Sequence, residues 1–176
     1  MLAWTDMPIF AADVLVVEFF AMADERPMPA GSKKGFVVTN RKTGQPIRRK
    51  FPNGKLGGFV VNIVDDTGEA GKRWRKAVRD AAKEAYGRKR KPFEGAVECE
   101  VLFVYPRPQD HYRADGSLKE WAPKHHATRP DATKLWRSAE DALSGVVLAD
   151  DGQVVRQCVR KRWARRQSEP CGVYVQ

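Results

Sequence analysis

The chain has 176 residues, 42% of them hydrophobic and 31% charged, with 32 Lys and Arg against 22 Asp and Glu for a net charge of +10. This length and apolar content suit one domain with a real core and exclude a disordered chain, while the surplus of positive charge points to a polyanionic partner, nucleic acid before membrane. Three cysteines, Cys99, Cys158 and Cys171, are odd in number and far apart, which argues against a disulfide framework or a paired-cysteine metal site and leaves a reducing, cytoplasmic setting as the default.

In chain order, the apolar N-terminus is interrupted by Asp6, Asp13 and Glu18, so it does not read as a signal peptide, and no apolar run is long enough to span a membrane. Residues 14–20, VLVVEFF, read as a buried strand. A basic loop or hairpin is expected over about 26–58, with a short strand at 35–39. Between Arg26 and Val64 stand nine Lys or Arg and no acid, where a mixed solvated face would interleave both signs. Lys33, Lys34, Arg41, Lys42, Arg48, Arg49 and Lys50 are therefore candidate phosphate contacts; a flexible, solvated loop is the competing reading.

Trp74, Ala77, Val78, Ala81, Ala82 and Ala85 recur at the spacing of an amphipathic helix. Asp66 with Glu69 resembles a capping box at its start, and Gly87 and Pro92 end it. In 96–105 the residues Val97, Cys99, Val101, Phe103 and Tyr105 alternate onto one face of a strand, with Cys99 read as a buried structural cysteine. A long loop of about 106–129 holds His111, His125 and His126, for which exposure or nucleic-acid contact is favoured over metal binding.

Leu135, Trp136, Ala139, Leu143 and Val146 mark a second helix ending near Gly145, with Asp131, Lys134, Ser138 and Asp141 on its polar side. A turn at Asp150-Asp151-Gly152 leads into a strand through Val159 that runs into the basic residues Arg160, Lys161 and Arg162. Folding helix, turn and strand back on one another is expected to bring Asp131 towards Asp150 and Asp151.

Carboxylates clustered in a polyanion-binding protein repel phosphate unless a divalent cation stands between them. Mg²⁺ accepts a few carboxylates together with water and substrate phosphate, and activates water for phosphodiester cleavage. The competing reading is local. Asp131 suits the first turn of a helix, where the dipole favours an acid, and Asp150-Asp151-Gly152 suits a turn. Glu140 is read as surface.

Residues 129–161 resemble the signature region of the RusA family of Holliday junction resolvases: Pro-Asp-x-Asp-Asn-Leu, a Lys, Asp-Ala-Leu, then Asp-Asp-x-Gln-Val and a basic strand. Pro130-Asp131, Leu135, Asp141-Ala142-Leu143, Asp150-Asp151-Gly152-Gln153-Val154 and Lys161 carry the match. VEFFAMADERPMPAGSKK and VECEVLFVY are similar, more loosely, to the family's opening strand with its Pro/basic loop and to its central strand. Three positions depart: Thr133 stands for the second Asp, Lys134 for the Asn and Arg137 for the Lys.

The resemblance implies one α/β (α+β) domain over 1–176, a mixed sheet flanked by two main helices. It implies a Mg²⁺-dependent homodimer, with Mn²⁺ as a substitute, that resolves four-way DNA junctions in recombination and repair. Asp131, Asp151 and Arg137 would be catalytic. Asp131 and Asp151, assisted by Asp150, Asp141 and Thr133, would hold the metal. Lys134 and Lys161 would join the basic window on DNA. The alternatives are a branched-DNA-binding protein of the same fold with weakened or lost cleavage, and an RNA-binding protein.

Overall fold

A computed structural model describes residues 16–24, 26–31, 33–65 and 68–176. Two helices pack against one face of a four-stranded mixed sheet, and a thin β arm is inserted between the first strand and the first helix. The sheet contains β1 (Phe19–Met22), β6 (Val97–Tyr105), β7 (Val154–Trp163) and β8 (Gly172–Val175), in the order β1-β8-β6-β7. β1 and β6 are antiparallel to β8, whereas β6 and β7 are parallel.

The alternation in β6 holds: Cys99, Val101, Phe103 and Tyr105 are buried beneath the helices. Val173 and Val175 of β8 lie opposite Phe103 and Val101 and extend the same apolar layer. Phe103 is fully buried, so Phe103→Ala would cost about 3–5 kcal/mol. Burial also pushes the Cys99 thiol up to about 11, with nearby Glu140 adding to the rise, which makes it a structural rather than a reactive cysteine. All three cysteines are free. The other sheet face carries cross-strand ion pairs, Arg156 to Glu98 at 3.0 Å and Arg160 to Glu100 at 3.2 Å.

The first helix, α1, spans Gly68–Tyr86. Its alanines favour helix, Glu69–Lys72 and Lys76–Asp80 pair along its exposed side, and Gly87 closes it at φ 106°. Trp74, Val78 and Ala82 face the core as expected; Tyr86, rather than Ala85, continues the stripe. The expected capping residue Asp66 lies outside the described residues, as do the first two positions of the strand expected at 14–20. That strand begins later, at Phe19, because its extent is set by pairing with the four residues of β8. β8 itself carried no sequence expectation. Its Gly172 is required by packing, since a Cβ there would stand 2.2 Å from the Ala21 carbonyl oxygen.

The second helix, α2, spans Ala132–Leu143 and buries Leu135, Trp136, Ala139, Ala142 and Leu143. Ser138, expected on the polar side, is fully buried as well. Its neighbours on both sides of the helical turn pack inward, so the apolar stripe is wide enough to take it in. Among the described residues, no helix is long and apolar enough to cross a membrane.

The basic window forms an arm of four short strands. β2 (Lys33–Val37) pairs antiparallel with β5 (Val61–Asp65), and β3 (Arg48–Lys50) pairs with β4 (Leu56–Phe59). Two turns, at 40–45 and 51–55, form its tips.

Candidate active site and nucleic-acid interface

α2 is the crossover between the parallel strands β6 and β7, so its axis must run back against both. This single topological fact distributes the acids. Asp131 stands at the N-cap of α2, beside the far end of β7; Asp150 and Asp151 precede β7, beside the other end of the helix. The expectation that the fold brings Asp131 to Asp151 within one chain is therefore not met. Nine residues of helix separate Asp131 from Glu140, the residue that senses Asp151, an axial rise of about 13 Å. Among the described residues, no group of three His, Cys, Asp or Glu comes together to hold a metal ion.

At the first end, Asp131 begins α2 through its backbone carbonyl, which accepts from Leu135 N–H at 3.1 Å, while its side chain makes no capping bond. The carboxylate instead borders a groove of about 560 Å³. Arg26, Met28 and the prolines around it form one wall; Arg129, Pro130, Asp131 and Lys134 form the other. The first wall is tied down by Tyr105 Oη donating to the Pro27 carbonyl at 2.6 Å and by Ala30 N–H donating to the Lys134 carbonyl at 2.8 Å. Lys134 Nζ lies 3.6 Å from Asp131 Oδ2, and both side chains are exposed. One acid among three cations at a helix N-terminus is a setting for a phosphate group. The sequence reading missed Arg26 and Arg129; each directly precedes a proline, and that repeated Arg-Pro was the available signal.

Lys161, expected on DNA, has a different local task. Its Nζ donates to the carbonyls of Thr128 at 2.6 Å and Pro130 at 2.7 Å, which fixes the segment that delivers Asp131. An aromatic cluster supports the same segment from below. The His126 ring lies 4.0 Å from that of Trp163 and 4.5 Å from that of Tyr105, and His111 meets Trp121 and Trp163 edge-on. His111 and His126 are buried, contrary to the expected exposure, because the loop over 106–129 folds onto the end of the sheet. Burial lowers the His126 pKa, with Lys161 adding to the shift. His125 alone of the three is exposed.

At the other end, Asp150 and Gln153 form a reciprocal cap. Asp150 Oδ1 accepts from Gly152 N–H at 2.8 Å, and Gln153 Oε1 accepts from Asp150 N–H at 2.8 Å. The Gln153 amide then donates to the carbonyls of Phe93 at 2.9 Å and Gly95 at 2.8 Å. One side chain thus ties the acidic turn to the segment before β6. Gln153→Ala is expected to lower stability by about 1–3 kcal/mol in urea unfolding, with no change in the aromatic near-ultraviolet signal of the distant His–Trp cluster.

Asp150 commits one oxygen to the turn, whereas Asp151 is exposed. Glu140, read from sequence as surface, is half-buried and faces it. Burial first, then the charge of Asp151, raises the Glu140 pKa. Ionised Glu140 therefore opposes folding, and this penalty is relieved as pH falls through its raised pKa. Glu140→Gln is expected to raise the melting temperature at neutral pH, read by thermal unfolding followed by circular dichroism. A hydrogen bond with Trp136 and the charge of Arg137 offset part of the rise in the Glu140 pKa. Thr133, Arg137 and Asp141 lie on the exposed side of α2 on successive turns between its two ends.

A two-layer α+β domain with a crossover helix acidic at both ends, a cation-lined groove and a basic arm defines a class of nucleic-acid-processing proteins. The family model for endodeoxyribonuclease RusA matches residues 58–176, a segment that contains α1, α2, β5 to β8 and the acids at both ends of α2. This chain belongs to the RusA endodeoxyribonuclease family. No curated protein and no solved structure matches it.

Proposed function

We propose that this protein is a Mg²⁺-dependent endonuclease that nicks branched DNA, four-way junctions above all, and acts as a C2 homodimer. The observation that carries the reading is membership of an endodeoxyribonuclease family through the segment that holds Asp131, Asp151 and the Arg129–Lys134 wall of the groove.

The two acids that the resemblance marks as essential stand at opposite ends of α2 in one chain. A two-fold dimer in which α2 packs beside its symmetry mate in antiparallel fashion sets Asp131 of one protomer against the Glu140–Asp151 end of the other. Each dimer then has two composite sites, matching the two equivalent strands of a junction. Asp131, Asp151 and Glu140 would hold the ion, with Asp150, Asp141 and Thr133 as neighbouring oxygen donors. Bound Mg²⁺ supplies Lewis acidity and an activated water.

The remaining work falls to this chain's own side chains. Arg26, Arg129 and Lys134 bind and orient the scissile strand through its phosphates. Arg137 presents a planar fork to the charge that develops on the phosphoryl oxygens. Arg41, Lys42, Arg48, Arg49 and Lys50, with Lys33 and Lys34 at the base of the arm, hold the junction arms by backbone contact rather than base identity. Binding is therefore expected to weaken steeply with salt.

The test is an end-labelled synthetic four-way junction incubated with increasing Mg²⁺ or Mn²⁺. Binding without nicks is expected in EDTA, and paired nicks near the branch when metal is added. Binding with no nicks at any metal concentration sinks the nuclease reading and favours the second one, a branched-DNA-binding protein of this family. Thr133, a neutral hydroxyl where the family pattern has a carboxylate, is the observation behind that second reading. Preference for structured RNA over the junction in competition would overturn both.

A further inference from the structure

The arm formed by β2 to β5 presents an apolar surface that nothing else among the described residues covers. Phe36 is 54% exposed, Phe51 47%, Leu56 63%, Phe59 51% and Val61 52%. The register explains why. Phe59 lies opposite Arg48 in one strand pair; in the other, Val61 opposite Val37 lies on one face and Phe36 opposite Asn62 on the other. Among the described residues each pair of strands hydrogen-bonds only within the arm, and no second layer closes over either face.

Exposed apolar area concentrated in this way marks an interaction surface. Charge selects the partner. From Lys33 to Val64 the chain has eight Lys or Arg and no acid. A second copy of the arm would carry the same charge and be repelled, whereas nucleic acid offers phosphates for the cations. The apolar side chains need a different complement. Phe side chains gain little from the outside of a duplex, because the flat faces of its bases are stacked away. Those faces become available where stacking breaks, at the branch point of a junction or in single strands. The Arg48 guanidinium already stands 5.0 Å from the centre of the Phe59 ring, a paired cation and aromatic surface of the type on which a base stacks.

We infer that the arm recognises unstacked bases at the branch point, through Phe36, Phe51 and Phe59, while Arg48, Arg49 and Lys50 hold the adjoining phosphates. This rests on the branched-DNA reading above but concerns a different part of the chain. The family match begins at residue 58, so β2 and β3, the two tips, Phe36 and Phe51 lie outside the segment shared with the family. The arm would therefore add branch selectivity to a nuclease body that does not depend on it for chemistry.

The test places 2-aminopurine either at the branch or within one arm of an immobile four-way junction and titrates the full-length protein in EDTA, where cleavage does not interfere. Fluorescence is expected to rise on binding only for the branch label. In a Phe36→Ala/Phe51→Ala/Phe59→Ala protein that rise should be lost and the preference for junction over linear duplex should fall by about tenfold or more. A second protein with Leu at the three positions keeps the apolar area without the aromatic faces. It should behave like the Ala variant while retaining the wild-type circular dichroism spectrum. An Arg48→Ala/Arg49→Ala/Lys50→Ala protein should instead lose affinity for junction and duplex alike, with a shallower salt dependence.

A branch signal that survives at saturation in both Phe variants overturns the inference. So does a fall in sedimentation mass of the free Phe variants, which would assign the apolar face to a second copy of the chain. Because every measurement is made without metal, its outcome is separable from the presence or absence of nicking.

Discussion

Asp131→Asn and Asp151→Asn proteins, each depressed in nicking by about a hundredfold or more on its own, are expected to recover activity when mixed and allowed to exchange subunits. The expectation follows from the direction of α2. A crossover helix between parallel strands runs opposite to them, so its N-cap and the turn that follows it stand a helix length apart. No side-chain rotation closes a gap of about 13 Å to a metal-ligand distance near 2 Å. If both acids serve one reaction, they meet across a two-fold axis.

In a mixed dimer, one composite site combines the intact Asp131 with the intact Asp151, and the other holds both lesions. Random exchange makes half the dimers mixed, so about a quarter of the wild-type sites return. The products identify the arrangement further. A dimer with one working site nicks one strand of a junction and leaves it unresolved, so nicked junctions should accumulate without linear products. Denaturing and native gels of the same reaction read both quantities. Absence of recovery at any mixing ratio would show that each chain works with its own acids, and the proposed packing of α2 against its mate would fall.

Lys161→Met is the second substitution with a large expected effect. Its ammonium donates to two carbonyls, those of Thr128 and Pro130, immediately before the helix that starts at Asp131. Hydrogen bonds from a charged donor are worth about 1.5–3 kcal/mol each, although solvent reaches this site and reduces the sum. Removal is expected to lower stability by about 2 kcal/mol and to lower nicking by tens of times, because Asp131 and Arg129 lose their fixed positions. Lys161→Arg should not restore function, since a planar fork does not reproduce the two converging bonds of a compact ammonium.

The salt dependence of junction binding separates this role from direct phosphate contact. A lysine on a phosphate releases about one counterion, so its loss reduces the slope of log affinity against log salt by about 0.9. A lysine spent on backbone carbonyls leaves that slope in place. A reduced slope with unchanged stability would return Lys161 to the DNA-binding set.

Much of the body was legible because periodicity reports burial. The alternation of β6 and the stripes of α1 and α2 placed most of their residues in the core, Ala85 and Val146 excepted. What failed was long-range. β8 is four residues long, too short to show a period, and it exists because β1 and β6 offer it two partners. Ser138 sits at a polar spacing yet is buried, because the sheet and α1 enclose more of α2 than its own pattern implies. The acids were visible as residue types, but their grouping depended on strand direction. A helix, turn and strand read alike whether the strand continues a parallel or an antiparallel sheet. Glu140 was missed for that reason, and Gln153 because its partners, the Phe93 and Gly95 carbonyls, lie some sixty positions earlier.

The pairing of β1 with β8 closes a long loop, since β1 comes first and β8 last among the described elements. Without β8, β1 has no strand partner in the sheet, and Ala23 N–H lacks the Cys171 carbonyl that anchors the chain just before the Pro27–Ala30 segment. That segment is one wall of the groove at Asp131. Closure of so long a loop is slow on contact-order grounds, so the pairing of β1 with β8, and with it the final seating of that wall, is expected to be a late step of folding.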